Sequence, residues 1–225
     1  MQPGDSCRLN LAEFVRKQLG QLDPGSRQTY DRHQAIYLMG DPADALFLVE
    51  SGSVKVGIIS CEGKEKTLYL SGRGQFFGEL CICGVARHPD QAVALESSTV
   101  SSFRVENVTA LLARRPELAK DFFQLVCGRL LDCQDQAVSL AYDSVPRRLA
   151  KELLRLAGRS ADRTRQSSVR VELTPTHEEL AAVVGTSRGM ISTTMNEFRE
   201  KGLVTYAPKA ITVFEERLLN YLEGG

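Results

Sequence analysis

The stretch THEELAAVVGTSRGMISTTMNEFREKG, residues 176–202, decides the fold of the C-terminal part of the chain. Thr176 and Glu179 have the spacing of a capping box, in which each side chain accepts a hydrogen bond from the other residue's backbone N–H. The pattern therefore predicts a short helix that begins directly after Thr176. The apolar residues of its inner face are Leu180, Ala181 and Val184.

Gly185-Thr186-Ser187 reads as the turn that ends this helix and starts another. Glycine readily adopts the positive φ that ends a helix, and Ser187 is a good N-cap for the next one. The second helix is predicted over residues 188 to about 201, and Gly202 ends it. Its buried stripe is Ile191, Met195 and Phe198.

A β-hairpin is predicted after the second helix, with strands over residues 203–206 and 211–214. Two helices around a short turn that contains glycine, followed by a hairpin, form a winged helix-turn-helix. The second helix of such a unit lies in the major groove of DNA and offers its N-terminal residues to base edges. Many proteins that do not bind DNA also place two helices around a glycine, so the interpretation depends on the combined pattern.

The region before this unit is divided into a strand-rich part and a helical part. Residues 28–104 contain short alternating runs separated by turn signals, which predicts an antiparallel sandwich or barrel. A short helix is predicted from residue 106, and a long helix from about Pro116 to Asp143. We also predict an amphipathic helix in the first 20 residues, a helix after Ser144 and a strand over residues 169–173. The apolar stripe of the first helix consists of Leu11, Phe14, Val15 and Leu19.

The long helix carries apolar residues in steps of four and three, which is the pattern of a helix that pairs with another helix. The simplest partner is a second copy of the chain, which gives a two-fold dimer. A stripe that faces the protein's own core is the alternative reading of the same residues. The predicted dimer seam is Phe123, Val126, Leu130, Cys133, Ala137 and Leu140.

Composition and charge restrict the class of protein. The 225 residues carry 28 basic and 28 acidic side chains, and 43% of the residues are apolar, as in soluble globular proteins. Residues 144–225 hold 13 basic and 10 acidic side chains, which is a modest basic excess in the part predicted to bind DNA. Neither an apolar run long enough to span a membrane nor a secretory signal is found, so we expect a cytoplasmic protein.

Sequence motifs of enzymes and of metal sites are missing. There is no Ser/His/Asp set, P-loop, dinucleotide fingerprint or cluster of metal ligands, so no catalytic residue and no metal site is predicted. The six cysteines contain no C-x-x-C, and disulfides are not expected in a reducing compartment. We expect small buried residues at Cys81, Cys83 and Cys133, with a thiol redox switch or a metal at these positions as the alternative.

Four stretches spread over most of the chain match motifs of one family. They are GSVKV (52–56), EGKE (62–65) and GQFFGEL (74–80) in the strand-rich part and LAAVVGTSR (180–188) in the C-terminal part. The first three resemble the β-roll sensor of the CRP/FNR family of bacterial transcription regulators, and the fourth resembles its helix-turn-helix. The resemblance covers nearly the whole chain. The resemblance implies an α+β fold with three parts. These are an N-terminal helix and antiparallel jelly-roll sensor (1–115), a dimerisation helix (116–143) and a winged helix-turn-helix domain (144–225). It also implies a homodimer on a near-palindromic operator in double-stranded DNA, with RNA polymerase as a further partner.

The sensor departs from the family's cAMP-binding pattern. Those members grip the cyclic phosphate with an Arg-Ser or Arg-Thr pair, and the aligned residues here are Asp90 and Gln91. An aspartate repels a phosphate, so we expect that cAMP is not the effector, and a site built on Arg87 is the alternative. The single N-terminal Cys7 does not provide the four thiolates of an iron–sulfur cluster. Haem ligation by His33 or His88 is a weaker idea, since His88 precedes Pro89 in a loop and resembles a surface side chain. The candidate pocket residues are Gly78, Glu79, Leu80, Arg87, Gln91 and Cys133.

The second helix also departs from the family's Ser-Arg-Glu-x-x-x-Arg pattern. It keeps Ser187 and Arg188 but has Gly189 and Thr193 in place of the glutamate and the second arginine. Arg188 is the best base reader because an arginine can pair with guanine through two hydrogen bonds. The alternative is a small-molecule or redox-sensing module with a constitutive or degenerate DNA-binding domain. The candidate DNA-binding residues are Thr176, His177, Ser187, Arg188, Gly189, Met190, Ser192, Thr193 and Lys209.

Overall fold

The computed structural model of the chain describes residues 25–63, 65–159, 169–172, 176–207 and 210–224. The chain divides into two compact units, residues 1–134 and 135–225. The domain limits at residues 115 and 143 remain a prediction. The expected N-terminal helix, Cys7 and Lys209 lie outside the described residues.

Two antiparallel four-stranded sheets form most of the described part of the first unit. The strands are β1 Ser26–Tyr30, β2 Ala35–Tyr37, β3 Ala45–Ser51, β4 Ser53–Ile59, β5 Glu65–Gly72, β6 Phe76–Phe77, β7 Gln91–Ala94 and β8 Ser98–Arg104. Their orders in the two sheets are β1-β8-β3-β6 and β2-β7-β4-β5. The alternating pattern of the sequence fits this arrangement, because every second side chain of a strand points into the core.

A 3-10 helix lies between β6 and β7, and two α-helices follow β8. A 3-10 helix spans Glu79–Cys83, α1 spans Val105–Arg114 and α2 spans Pro116–Tyr142. Pro116 begins α2 because proline is tolerated in the first turn of a helix and not in its interior. Val108 of α1 and Phe122 of α2 are buried in the same core as Leu46, Phe76 and Phe103 of the sheet.

The second unit contains a winged helix-turn-helix. The elements are α3 Val145–Arg159, β9 Val169–Glu172, α4 His177–Val184, α5 Arg188–Glu200, β10 Val204–Ala207, β11 Ala210–Val213 and α6 Glu215–Glu223. The three-stranded sheet has the order β10-β11-β9, and all its pairs are antiparallel. The two helices of the motif, α4 and α5, pack their predicted inner residues into one core with α3 and the wing.

The structure confirms the predicted fold class and corrects several details. The second wing strand begins at Ala210 and not at residue 211, because Ala207 pairs with Ala210 across the turn. Helix α6 was not predicted, although Leu218 is fully buried in the core of the second unit. Cys83 and Cys133 are exposed, contrary to the expectation of buried thiols, whereas Cys81 is buried. Burial raises the pKa of the Cys81 thiol to about 12.

Candidate functional site: the DNA interface and the sensor cluster

The first helix of the helix-turn-helix begins with the predicted capping box. The backbone N–H of Glu179 donates to the Thr176 hydroxyl at 3.1 Å, and the backbone N–H of Thr176 donates to the Glu179 carboxylate at 2.6 Å. Both hydrogen bonds join residues that are three positions apart, which is why the spacing in the sequence was enough to predict them. The box fixes the start of α4, and thus the position of His177 at its first turn.

The turn between α4 and α5 is held by an arginine that the sequence analysis did not identify. Gly185 takes φ 74°, and its N–H donates to the Ala181 carbonyl at 2.9 Å. Arg148 of α3 donates from Nε to the Val184 carbonyl at 2.9 Å and from Nη2 to the Gly185 carbonyl at 3.3 Å. Its Nη1 donates to the carbonyl of Asp143 at 2.8 Å. One guanidinium therefore satisfies helix-end carbonyls that have no partner within α4.

Helix α5 presents its first turns to solvent. The Ser187 hydroxyl accepts from the backbone N–H of Met190 at 3.3 Å, as an N-cap does. Ile191, Met195 and Phe198 are fully buried, as predicted. The outward residues of the first turns are named here the reading face: Arg188, Gly189, Met190, Ser192 and Thr193, of which all but the half-buried Ser192 are exposed.

The hydroxyls of the reading face donate their protons into the helix. Ser192 Oγ donates to the Arg188 carbonyl at 3.0 Å, and Thr193 Oγ1 donates to the Gly189 carbonyl at 3.2 Å. His177 Nδ1 lies 2.9 Å from Ser192 Oγ. The Ser192 hydroxyl has a single proton, so it can donate to the Arg188 carbonyl or to the histidine nitrogen but not to both at once. His177 thus joins the start of α4 to the reading face.

The charges on the first turns of α5 suit an anionic partner. Arg188 is exposed, and the first exposed carboxylate on the same helix is Glu197, two turns later. The N-terminal N–H groups of a helix also favour anions such as phosphate. This arrangement can bind a phosphate backbone and place an arginine and short side chains against base edges.

The sensor unit contains a buried polar cluster around Glu79. Glu79 begins the 3-10 helix after Gly78, whose φ is 76° and where a Cβ would come within 2.9 Å of the Phe47 ring. Arg129 Nε lies 3.2 Å from the Glu79 carboxylate, and the Tyr69 hydroxyl donates to the same carboxylate at 3.3 Å. Arg129 also stacks on the Tyr69 ring at 3.7 Å and donates to the Phe76 carbonyl.

His88 and Asp90 form the second half of this cluster, which corrects the expectation that His88 is a surface side chain. His88 is 3% exposed and its ring stacks on Tyr37 with centroids 3.6 Å apart. Its Nδ1 lies 3.9 Å from Asp90 Oδ1, which is too far for a hydrogen bond. Burial lowers the pKa of His88 and raises that of Asp90.

Four buried polar atoms of this region have no hydrogen-bond partner among the described residues. They are the Tyr37 hydroxyl, His88 Nδ1, Asp90 Oδ1 and Arg129 Nη1. Buried polar groups are normally satisfied by protein, water or a ligand. The set Tyr37, Tyr69, Glu79, His88, Asp90 and Arg129 is called here the sensor cluster.

Other predicted pocket residues are spread between the surface and the core. Arg87 is exposed, and its Nη1 donates to the Gly40 carbonyl at 2.6 Å. Gln91 is buried at the start of β7, and Leu80 is half-buried. Cys133 is exposed on α2. No group of three or more potential metal ligands occurs among the described residues.

Most of the predicted seam of α2 is exposed in the single chain. Phe123 is 68% exposed and Leu130 is 58% exposed, whereas Val126 is half-buried against the core of the first unit. The alternative of a core-facing stripe therefore applies to Val126 alone among the six seam residues. Cys133, Ala137 and Leu140 are also exposed.

Comparison with known proteins agrees with this architecture. The family profile for the cyclic nucleotide-binding domain matches residues 27–115, and the profile for the Crp-like helix-turn-helix domain matches residues 147–222. The chain is 31% identical over 199 residues to the cyclic AMP receptor protein of Thermus thermophilus, across 88% of each chain. The chain belongs to the CRP/FNR family. Regulators of this family bind DNA and generally act as dimers.

Two further proteins extend the comparison. The CRP-like cAMP-activated global transcriptional regulator of Mycobacterium tuberculosis is 28% identical over 205 residues, which is 91% of this chain and 88% of the relative. The solved structure of FixK2 from Bradyrhizobium japonicum superposes with a TM-score of 0.79 at 18% identity, over 88% of this chain and 97% of that one. This second likeness concerns the fold alone. Among the described residues, no helix combines the length and apolar character needed to cross a membrane.

Proposed function

We propose that this DNA-binding transcription regulator acts as a homodimer that binds two half-sites through two copies of α5. The proposal rests on the reading face of α5, which is exposed to solvent and lies in a helix whose start is fixed by the Ser187 N-cap. The exposed seam of α2 supports pairing with a second copy, since large apolar side chains such as Phe123 and Leu130 are otherwise left in water. A two-fold dimer of this kind matches half-sites about 34 Å apart along one face of the duplex.

The residues of the interface divide by role. Arg188 reads a base, because a guanidinium can donate two hydrogen bonds to guanine. Thr176, Ser187 and Lys209 hold phosphates and set the register. His177 joins this second group, because it lies at the first turn of α4 and contacts Ser192 of the reading face.

We expect the effector to be something other than cAMP, although the two relatives described above are named for it. The support lies in the sensor cluster: the buried residue at the expected phosphate-binding position is the acid Asp90, and the alternative Arg87 is on the surface. A carboxylate in that position repels a cyclic phosphate. Calorimetric titration of the purified dimer with cAMP tests this, and saturable binding at micromolar cAMP would contradict it.

A regulator that binds DNA is also expected to have a particular location and a particular partner in the cell. The regulator works in the cytoplasm, where a bacterial chromosome lies, and influences RNA polymerase at the promoters it binds. It carries out no catalysis. The competing function is a redox-sensing or small-molecule-binding module with a degenerate DNA-binding domain, and the exposed thiols of Cys83 and Cys133 are the observation in its favour.

Selection from a pool of random duplexes distinguishes the two functions. The full chain should enrich a sequence subset, and its affinity should fall steeply between about 50 and 200 mM salt as counterions are released. Arg188→Ala should lower the affinity for the enriched duplex by about tenfold or more. Arg73→Ala removes the same charge from an exposed site in the sensor unit and should leave affinity unchanged. Equal affinities of both variants would contradict the assignment of Arg188.

The dimer is tested by a charge placed on the seam. Leu130→Glu should shift the protein to a monomer in analytical ultracentrifugation, because burying a carboxylate without a partner is costly. Leu219→Glu is the matched control, since Leu219 is 48% exposed on α6 and lies outside the seam. A Leu130→Glu protein that remains dimeric would rule out pairing through this face.

A further inference from the structure

The reading face of α5 combines one cationic side chain with two outward groups that carry methyls. Arg188 is exposed at the first position, Met190 is 47% exposed, and Thr193 is exposed one turn later. Met190 and Thr193 are three residues apart and therefore lie on the same side of the helix. This apolar pair lies next to the arginine, where a duplex would meet the helix.

The hydrogen bond of Thr193 decides what that side chain can offer to DNA. Its hydroxyl donates to the Gly189 carbonyl at 3.2 Å, so the proton is already used inside the helix. The groups left are a methyl and an oxygen that can only accept. Met190 adds a thioether, which is apolar and adaptable in shape.

Gly189 leaves this surface uncovered. A Cβ at Gly189 would approach only the Ser187 hydroxyl, at 3.9 Å, so packing within the chain does not require a glycine there. Without a side chain at this position, nothing on α5 stands between the helix backbone and a base pair at that point. Met190 and Thr193 can then reach the edges of the bases themselves.

Base edges differ in what they offer to such a pair. Thymine alone presents a methyl group in the major groove, and its partner adenine presents an N6 amine that donates. A methyl next to an acceptor-only oxygen matches a T·A pair on both counts, whereas guanine offers only acceptors to these groups. We infer that Met190 and Thr193 read thymine 5-methyl groups, next to a guanine bound by Arg188. The inference rests on the proposed function, because it needs α5 in the major groove.

Removing single methyl groups from DNA tests the inference directly. The duplex enriched by the full-length protein is resynthesised with deoxyuridine in place of each thymine in turn, and affinity is measured by fluorescence anisotropy. At one or two half-site positions the affinity should fall about fourfold, which is about 0.8 kcal/mol for one methyl at 1.4 kcal/mol per factor of ten. The same exchange in the flanks should change nothing.

Two variants of one residue assign the effect to the protein. Thr193→Ser keeps the hydroxyl and removes the methyl, so sensitivity to deoxyuridine should disappear at one position. Thr193→Val keeps methyl groups and removes the hydroxyl, so the sensitivity should remain. Both changes are small and lie on an exposed side of α5. Met190→Ala should remove the sensitivity at the other position.

The failures are distinguishable. If no duplex is enriched, the proposed function fails and this inference fails with it. If a duplex is enriched and Arg188→Ala weakens it, but every thymine tolerates deoxyuridine, only the methyl reading is wrong. Unchanged sensitivity in both Thr193→Ser and Met190→Ala would also overturn it.

Discussion

Replacing Arg148 by methionine should loosen the turn of the helix-turn-helix. The substitution keeps a long apolar stem and removes the guanidinium. The carbonyls of Val184, Gly185 and Asp143 then lose the donor that lies 2.8 to 3.3 Å from each of them. Two of these carbonyls belong to the C-terminal end of α4, where helix geometry leaves them without an internal partner.

The expected loss is a moderate fraction of the stability of the second unit. A hydrogen bond from a charged donor contributes about 1.5–3 kcal/mol when it is buried. The Arg148 side chain is half-buried, and water replaces part of what is lost, so three such bonds amount to about 2–4 kcal/mol in total. A domain of this size has a total stability of about 5–15 kcal/mol.

Urea unfolding followed by far-UV circular dichroism measures the loss, and hydrogen exchange with mass spectrometry locates it. Peptides from α4 and α5 should exchange faster in Arg148→Met, and peptides from the sensor sheets should not. Lys151→Met is the control, because Lys151 is half-exposed and its ion pair with Asp143 at 2.5 Å is a surface contact. Such contacts contribute about 0–1 kcal/mol. Equal losses in the two variants would refute the role given to Arg148.

Three further predictions concern the sensor unit. Burial raises the pKa of Asp90 above its ordinary value of 3.8, so ionisation of Asp90 lowers the stability of the folded protein as pH rises through that shifted pKa. Asp90→Asn should therefore raise the melting temperature at pH 7, and this gain should vanish below about pH 3.8. Arg129→Met leaves Glu79 buried without its cation, so calorimetry should show a loss of about 2–4 kcal/mol, and the added change Glu79→Gln should restore part of it. Iodoacetamide at pH 7 should label the exposed Cys83 and spare Cys81, whose thiol has a pKa of about 12; equal labelling in a peptide map would contradict this.

The helix-turn-helix was predictable because its signals are local. Thr176 and Glu179 are three residues apart, and Gly185 takes the positive φ for which glycine is suited. A capping box and a helix-ending glycine act within one or two turns, so their spacing in the sequence carries the whole geometry. Helix α6 had a comparable signal in the spacing of Leu218 and Leu222.

The contacts that hold the two sites together were not predictable in the same way. Arg129 meets Glu79 fifty residues earlier in the chain, and Arg148 meets Val184 thirty-six residues later. No local pattern in the sequence distinguishes these two half-buried arginines from the exposed cations of amphipathic helices. His88 was placed wrongly for the same reason, because its stacking on Tyr37 depends on the register between β2 and the loop before β7.

Arg129 has a position that constrains how any effector could act. It lies on α2 directly before the exposed seam residue Leu130, and it binds Glu79, Tyr69 and the Phe76 carbonyl on the other side. A ligand changes an equilibrium only as far as it binds one arrangement better than another. A molecule that forms a hydrogen bond with Nη1 of Arg129 or with Asp90 would therefore act on the contacts of this turn of α2. It would either compete with those contacts or reinforce them. Arg129 thus joins the sensor cluster to the turn of α2 that carries the seam residue Leu130, and a change in how its charge is satisfied would act on that turn.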